Sequence, residues 1–111
     1  MSIPVDPHEI SASAEAYGPA AYVLTTDPDG RPRVTHVVVS IEGNRLTAAP
    51  GRSASRNAAE RPAVSVLWPA IADDGYSLIA DGEATVADSP DDGAGVEITV
   101  TSAVLHRPAP R

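Results

Sequence analysis

Turn signals recur so closely along this chain that its apolar segments have room for short strands and little else. Asp27-Pro28-Asp29-Gly30, Glu42-Gly43-Asn44 and Pro50-Gly51 carry strong turn chemistry, and residues 69–75 and 89–95 are loop by composition. The segments between them, 21–26, 33–41, 45–49, 63–68, 76–86 and 96–104, read as six strands rich in β-branched residues. In the last of these, alternation places Val96, Ile98, Val100 and Val104 on one face, opposite Glu97, Thr99 and Thr101. Gly82, inside the fifth, predicts a bulge or a sharp bend.

Helical signals are confined to two places. Asp6 can cap a helix with Pro7 in its first turn and Glu9 at the capping-box position, and Ile10, Ala14 and Tyr17 then form one apolar stripe. Gly18-Pro19 ends that helix, which spans residues 6–17. Residues 53–61 have helical composition, with Ser53 as a plausible cap and Pro62 as a stop. Six strands and one inserted helix in so short a chain favour a closed or nearly closed antiparallel β-barrel over a sandwich. At 111 residues the expected organisation is a single domain over 1–111, with the barrel in 20–107. A domain this small has a high ratio of surface to volume and gains by burying more surface in an oligomer.

Composition excludes several functions. There is no cysteine, so neither disulfides nor thiolate metal sites can form. No apolar run approaches a membrane span, and the N-terminus lacks the charge and apolar core of a secretion signal, so a cytoplasmic location is expected. The formal net charge of −7 argues against a nucleic-acid partner, and the four aromatics, Tyr17, Tyr22, Trp68 and Tyr76, are too scattered for base stacking. His8, His36 and His106 have no metal-ligand spacing, so no metal is expected. Asp73-Asp74 and Asp91-Asp92 read as solvated turns, and no nucleophile–base triad is legible. Trp68 reads first as a packing residue, and second as a ring-stacking one.

All eight basic residues are arginine, and four of them fall between Arg45 and Arg61. A positive island in an acidic chain needs a reason. Gly51-Arg52-Ser53-Ala54-Ser55-Arg56-Asn57, opening a helix, combines cations and hydroxyls where an anion would be held.

The order of these elements carries a resemblance. A strand, the Asp-Pro-Asp-Gly turn, an Arg-Pro-Arg-Val strand, a Gly-Asn turn and a Ser- and Arg-rich helix ending in Arg-Pro-Ala-Val-Ser-Val-Leu together resemble the pyridoxamine 5′-phosphate oxidase-like family of flavin and deazaflavin proteins, over residues 20–106. The resemblance implies a mainly β fold, a six-stranded antiparallel split β-barrel with a short N-terminal helix and one inserted helix. It implies a homodimer with FMN in a groove at the interface. It also implies cofactor contacts from Arg33, from the backbone of Val34, Thr35 and His36, from Ala48, and from Arg52, Ser53 and Arg56. The family's usual phosphate-binding lysine falls at Ala54, and its usual leucine at Ala58, so the charge passes to Arg52 or Arg56, with Arg52 favoured by its nearness to the helix start. His36 could contact the flavin or shuttle a proton, or be an ordinary strand histidine. No catalytic residue is assigned. The function implied is hydride transfer between a bound flavin and a small-molecule substrate. Two alternatives stay open: a deazaflavin (F420)-dependent reductase, which the alanine-rich, lysine-free, actinobacterial-looking composition suits, and a non-catalytic flavin- or haem-binding or purely dimeric member.

Overall fold

A computed structural model describes residues 2–86 and 95–109. The expected loop at 89–94 with Asp91-Asp92, and the chain end at 110–111, lie outside the described residues. Eight strands form one sheet: β1 (Ser2–Val5), β2 (Ala20–Thr26), β3 (Pro32–Val38), β4 (Ser40–Glu42), β5 (Arg45–Ala48), β6 (Ala63–Trp68), β7 (Ser77–Val86) and β8 (Val96–His106). Helix α1 (Ile10–Ala14) lies between two 3-10 turns, and α2 (Arg52–Glu60) links β5 to β6. The strand order is β3-β2-β6-β7-β8-β5-β4, with β1 added to β8 off this path. Neighbours pair antiparallel throughout. The ends of this order, β3 and β4, are consecutive in the chain and meet at Val39, so the sheet curls into an antiparallel half-barrel.

The expected six strands become eight for two physical reasons. The long second strand breaks at Val39, whose N–H donates to the Pro19 carbonyl (2.8 Å) while its side chain turns into the core. The two halves then serve different neighbours, β3 pairing with β2 and β4 with β5. The second addition is β1. Strand β5 covers β8 only from Val96 to Thr99, which leaves the edge at 103–106 open, and Ser2–Val5 fills it.

Alternation builds the core as expected. Ala21 and Val23 of β2, Val64, Val66 and Trp68 of β6, and Leu78 and Ala80 of β7 all point inward. Trp68 is buried and packs in this core. Strand β8 departs from strict alternation. Asp81 pairs with Ser102 while Gly82 pairs with Val100, so Thr101 is one residue too many. Beyond it the faces exchange: Ala103 is buried and Val104 is half-exposed, which corrects the placement of Val104 with Val96, Ile98 and Val100. The bulge expected at Gly82 is there. A Cβ at Gly82 would run into the Thr99 carbonyl oxygen and come within 2.8 Å of Ile98 Cγ2, so only glycine fits.

At the N-terminus the Asp6 cap forms as expected, while the helix expected over 6–17 is α-helical only at Ile10–Ala14 and Glu9 makes no side-chain capping bond. Asp6 accepts a hydrogen bond from the His8 N–H (2.9 Å), Ile10 and Ala14 are buried, and Gly18 leaves the helix at φ +88°. In α2 the cap differs from expectation. The helix begins at Arg52 behind Gly51, at φ +98°, with no side-chain cap, so Ser53 lies inside it. Among the described residues no helix is long and apolar enough to cross a membrane.

Candidate functional site

Two parts of the chain distant in sequence converge at one end of the sheet: the hairpin joining the end of β2 to the start of β3, and α2. The β2–β3 hairpin is closed by the Asp27 N–H donating to the Arg31 carbonyl (2.8 Å) and the Gly30 N–H donating to the Asp27 carbonyl (2.9 Å). Its register sets Arg33 opposite Thr25, which is buried. Helix α2 packs against β2 and β7. From it Asn57, only 4% exposed, donates to Thr25 Oγ1 (3.2 Å) and to Asp27 Oδ1 (2.7 Å). The same Asp27 oxygen accepts from Arg33 Nε (3.0 Å). One carboxylate thus ties the hairpin, β3 and α2 together.

Arg61 completes the clamp. It donates through Nε to the Thr26 carbonyl (2.7 Å), through one terminal nitrogen to Asn57 Oδ1 (3.2 Å) and through the other to Glu60 (3.1 Å). Both N–H donors of the Asn57 amide are therefore used, and its oxygen accepts from Arg61. The hydrogen bonds from Asn57 and Arg33 hold the Asp27 carboxyl below its ordinary range, so it is ionised near neutrality.

These residues line an open groove of about 370 Å³. Of the residues expected from sequence, Arg33, Ser53 and Arg56 are brought together in it. The donor set, two guanidiniums and a hydroxyl near a helix start, fits a phosphate in kind. Asp27, Asp29, Glu60 and Arg61 line it as well, so three guanidiniums face three carboxylates.

The other expected residues lie elsewhere. Alternation along β3 sends Val34 and His36 to the outer face, where the His36 ring stacks on Tyr22, centroids 4.5 Å apart and planes at 18°. Thr35 is half-buried, Ala48 is buried in the core, and Arg52 is exposed at the start of α2 without lining the groove. Strand β3 is an end of the sheet order, so one edge of its backbone has no strand partner among the described residues. His106 Nδ1 lies 3.2 Å from Ser2 Oγ, and the Arg107 guanidinium stands 4.9 Å from the centre of the Tyr76 ring. No group of three His, Asp or Glu suited to a metal occurs among the described residues.

A larger groove, about 480 Å³, runs past Thr26, Ser65, Asp81, Glu83 and Thr101. Its charged side chains are carboxylates, with Asp81 accepting from Ser65 Oγ (2.5 Å), so it repels a phosphate despite its size. Charge, not volume, selects the α2–hairpin groove.

Asp27, Asn57 and Arg61 carry the groove's architecture, and sequence reasoning gave them lesser parts: a turn residue, one donor among several, and a helix end. Asn57, the large polar residue on a buried helix face otherwise made of the small residues Ala54, Ser55 and Ala58, was the available signal.

Comparison with known proteins follows the fold. No family model matches the chain. An uncharacterized protein of Mycobacterium bovis and one of Mycobacterium tuberculosis are each 35% identical over 119 aligned positions, covering 95% of this chain and 82% of theirs. A candidate pyridoxamine 5′-phosphate oxidase from Listeria innocua superposes with a TM-score of 0.73 at 12% identity, over 93% of this chain and all of that one (100%). The FAD-binding protein of Mycobacterium smegmatis gives 0.65 at 12% identity over 96% and 100%, and an F420 reductase 0.55 at 20% identity over 81% and 86%. The chain belongs to the family of the two mycobacterial relatives and carries the pyridoxamine 5′-phosphate oxidase-like fold.

Proposed function

We propose that this protein binds FMN and acts as a flavin-dependent oxidoreductase of the pyridoxamine 5′-phosphate oxidase-like class, with the cofactor at the interface of a homodimer. The observation that carries the reading is the convergence of Arg33 from β3 with Ser53 and Arg56 from α2 on one groove. These three hold the phosphate, and Arg52 at the start of α2 adds charge nearby. The backbone of Val34, Thr35 and His36, on an edge strand with N–H and C=O groups to offer, lies along the ring, and Ala48 contributes through its backbone because its side chain is in the core. When bound, a flavin supplies the hydride chemistry, and the protein orients it against a small-molecule substrate. Asp27 is pinned by Arg33 and Asn57, which makes it an ion-pair partner rather than a base.

An apolar stripe supports the dimer. Val34 and Val38 on β3 are 57% and 61% exposed, and the same outer face carries Tyr22, Leu67, Ile79 and Val104 in adjacent rows. A second reading, an F420-dependent reductase, is favoured by the F420 reductase among the similar folds, since that cofactor's anionic tail also suits arginines. The visible spectrum of the purified protein, before and after incubation with FMN or F420, separates these readings. Uptake of FMN is expected; uptake of F420 alone selects the second reading. A chain that takes up neither is a non-catalytic member and the proposal fails.

A further inference from the structure

We infer that Asp27 is a built-in competitor for anions in the α2–hairpin groove, setting its own carboxylate charge against Arg33, a cation that an incoming phosphate would use. The inference rests on the anion-binding reading of that groove and adds what sets its affinity.

Both contacts converge on one oxygen. Asp27 Oδ1 accepts from Arg33 Nε at 3.0 Å and from Asn57 Nδ2 at 2.7 Å. Asn57 cannot turn to a ligand instead. It is buried, its remaining donor goes to Thr25, and its carbonyl oxygen accepts from Arg61. Arg33 gives Asp27 its Nε, so a ligand reaches the terminal nitrogens of a guanidinium already paired with a carboxylate. The charged groups lining the groove around Asp27 are Asp29 from its own turn, Arg33 from β3, Arg56 and Glu60 from α2, and Arg61 just beyond it; outside the lining, Arg31 Nε stands 3.6 Å from the Asp29 carboxylate. The lining itself holds three guanidiniums and three carboxylates, so its own charge is balanced while Asp27 is ionised. The two hydrogen bonds keep it ionised through the neutral range. A phosphate therefore enters beside a fixed like charge, which opposes binding.

The consequence is specific to charge. Asp27→Asn keeps an oxygen to accept from Asn57 and removes the negative charge, so it strengthens anion binding without touching uncharged ligands. Calorimetric titration of the wild type, Asp27→Asn and Asp27→Ser with pyrophosphate, FMN and riboflavin tests this. Both variants are expected to bind pyrophosphate roughly tenfold more tightly than the wild type, a screened single-charge effect, and to raise the ratio of FMN to riboflavin affinity by about the same factor. Equal or weaker pyrophosphate binding by a folded variant overturns the inference and makes Asp27 a positioning residue for Arg33. If no chain binds any flavin but the variants still gain on pyrophosphate, the flavin reading fails and this one stands. If FMN binds all three chains equally, the flavin reading stands and this one fails. Should both variants unfold, the wild type decides through sulfate, which stays dianionic. Its affinity must go on rising below the range in which ordinary carboxylates protonate, because Asp27 is held lower than they are, and a profile flat there overturns the inference.

Discussion

Arg56 and Arg45 both belong to the arginine-rich stretch between β5 and α2, yet only Arg56 lines the groove. Arg56→Ala should weaken FMN binding by about 1.5–3 kcal/mol, the loss of a charged hydrogen bond, while Arg45→Ala leaves it unchanged. Fluorescence titration of the two variants reads the difference, and equal affinities would remove Arg56 from the site. The sequence favoured Arg52 as the replacement for the family's lysine. Its place outside the groove lining makes Arg52→Ala the milder variant of the two. Asp27 has its own signature, in stability. Its folded-state carboxyl lies below the unfolded value, so the ionised form stabilises the fold above about pH 4 and that contribution is lost as pH falls further. Thermal melts from pH 6 down to about pH 2 should fall less steeply for Asp27→Asn than for the wild type. Parallel curves would mean that the Asn57 and Arg33 contacts do not discriminate between its charge states.

Among the elements, the β7–β8 bulge is the most sharply determined. Gly82→Ala would press a methyl group against backbone at Thr99 and should cost about 1–3 kcal/mol by urea denaturation. Gly95→Ala, where the nearest atoms are 3.8 Å away, should stay within about 0.5 kcal/mol. An undiminished Gly82→Ala would mean that the sheet absorbs the bulge elsewhere. The bulge also marks how far the sequence could be read. Turn chemistry located the hairpins, period-2 alternation located the inward faces, and the glycine announced its bend. None of these signals says which strand carries the extra residue, so the exchange of Val104 for Ala103 was invisible. The kink at Val39 depends on a carbonyl twenty residues earlier, and β1 depends on how short β5 is. Both are tertiary facts. The same holds for the groove: Asp27 and Asn57 read as a turn and a helix residue until α2 folds onto the hairpin.

For the whole molecule, Trp68 is a single tryptophan buried in the core, and it reports on the fold directly. If the chain is one cooperative domain, its fluorescence and the far-ultraviolet circular dichroism should report one coincident unfolding transition. Separate midpoints would divide the chain into two units. The outer face of β3 bears on assembly. If the proposed dimer forms through this face, Val38→Asp should shift the molecular mass in solution from dimer to monomer and weaken binding of the proposed cofactor with it, as measured by light scattering and titration. A mass unchanged by the substitution would move the interface elsewhere on the sheet.

In the proposed function, the groove between α2 and the β2–β3 hairpin recognises the phosphate of a flavin. Titration of the wild type with FMN and with riboflavin, which differ only by that phosphate, tests it most directly. FMN should bind more tightly by about tenfold or more, the worth of a charged hydrogen bond, and Arg33→Ala combined with Arg56→Ala should erase the difference. Equal affinity for FMN and riboflavin in the wild type, or a preference that survives loss of both arginines, would contradict it.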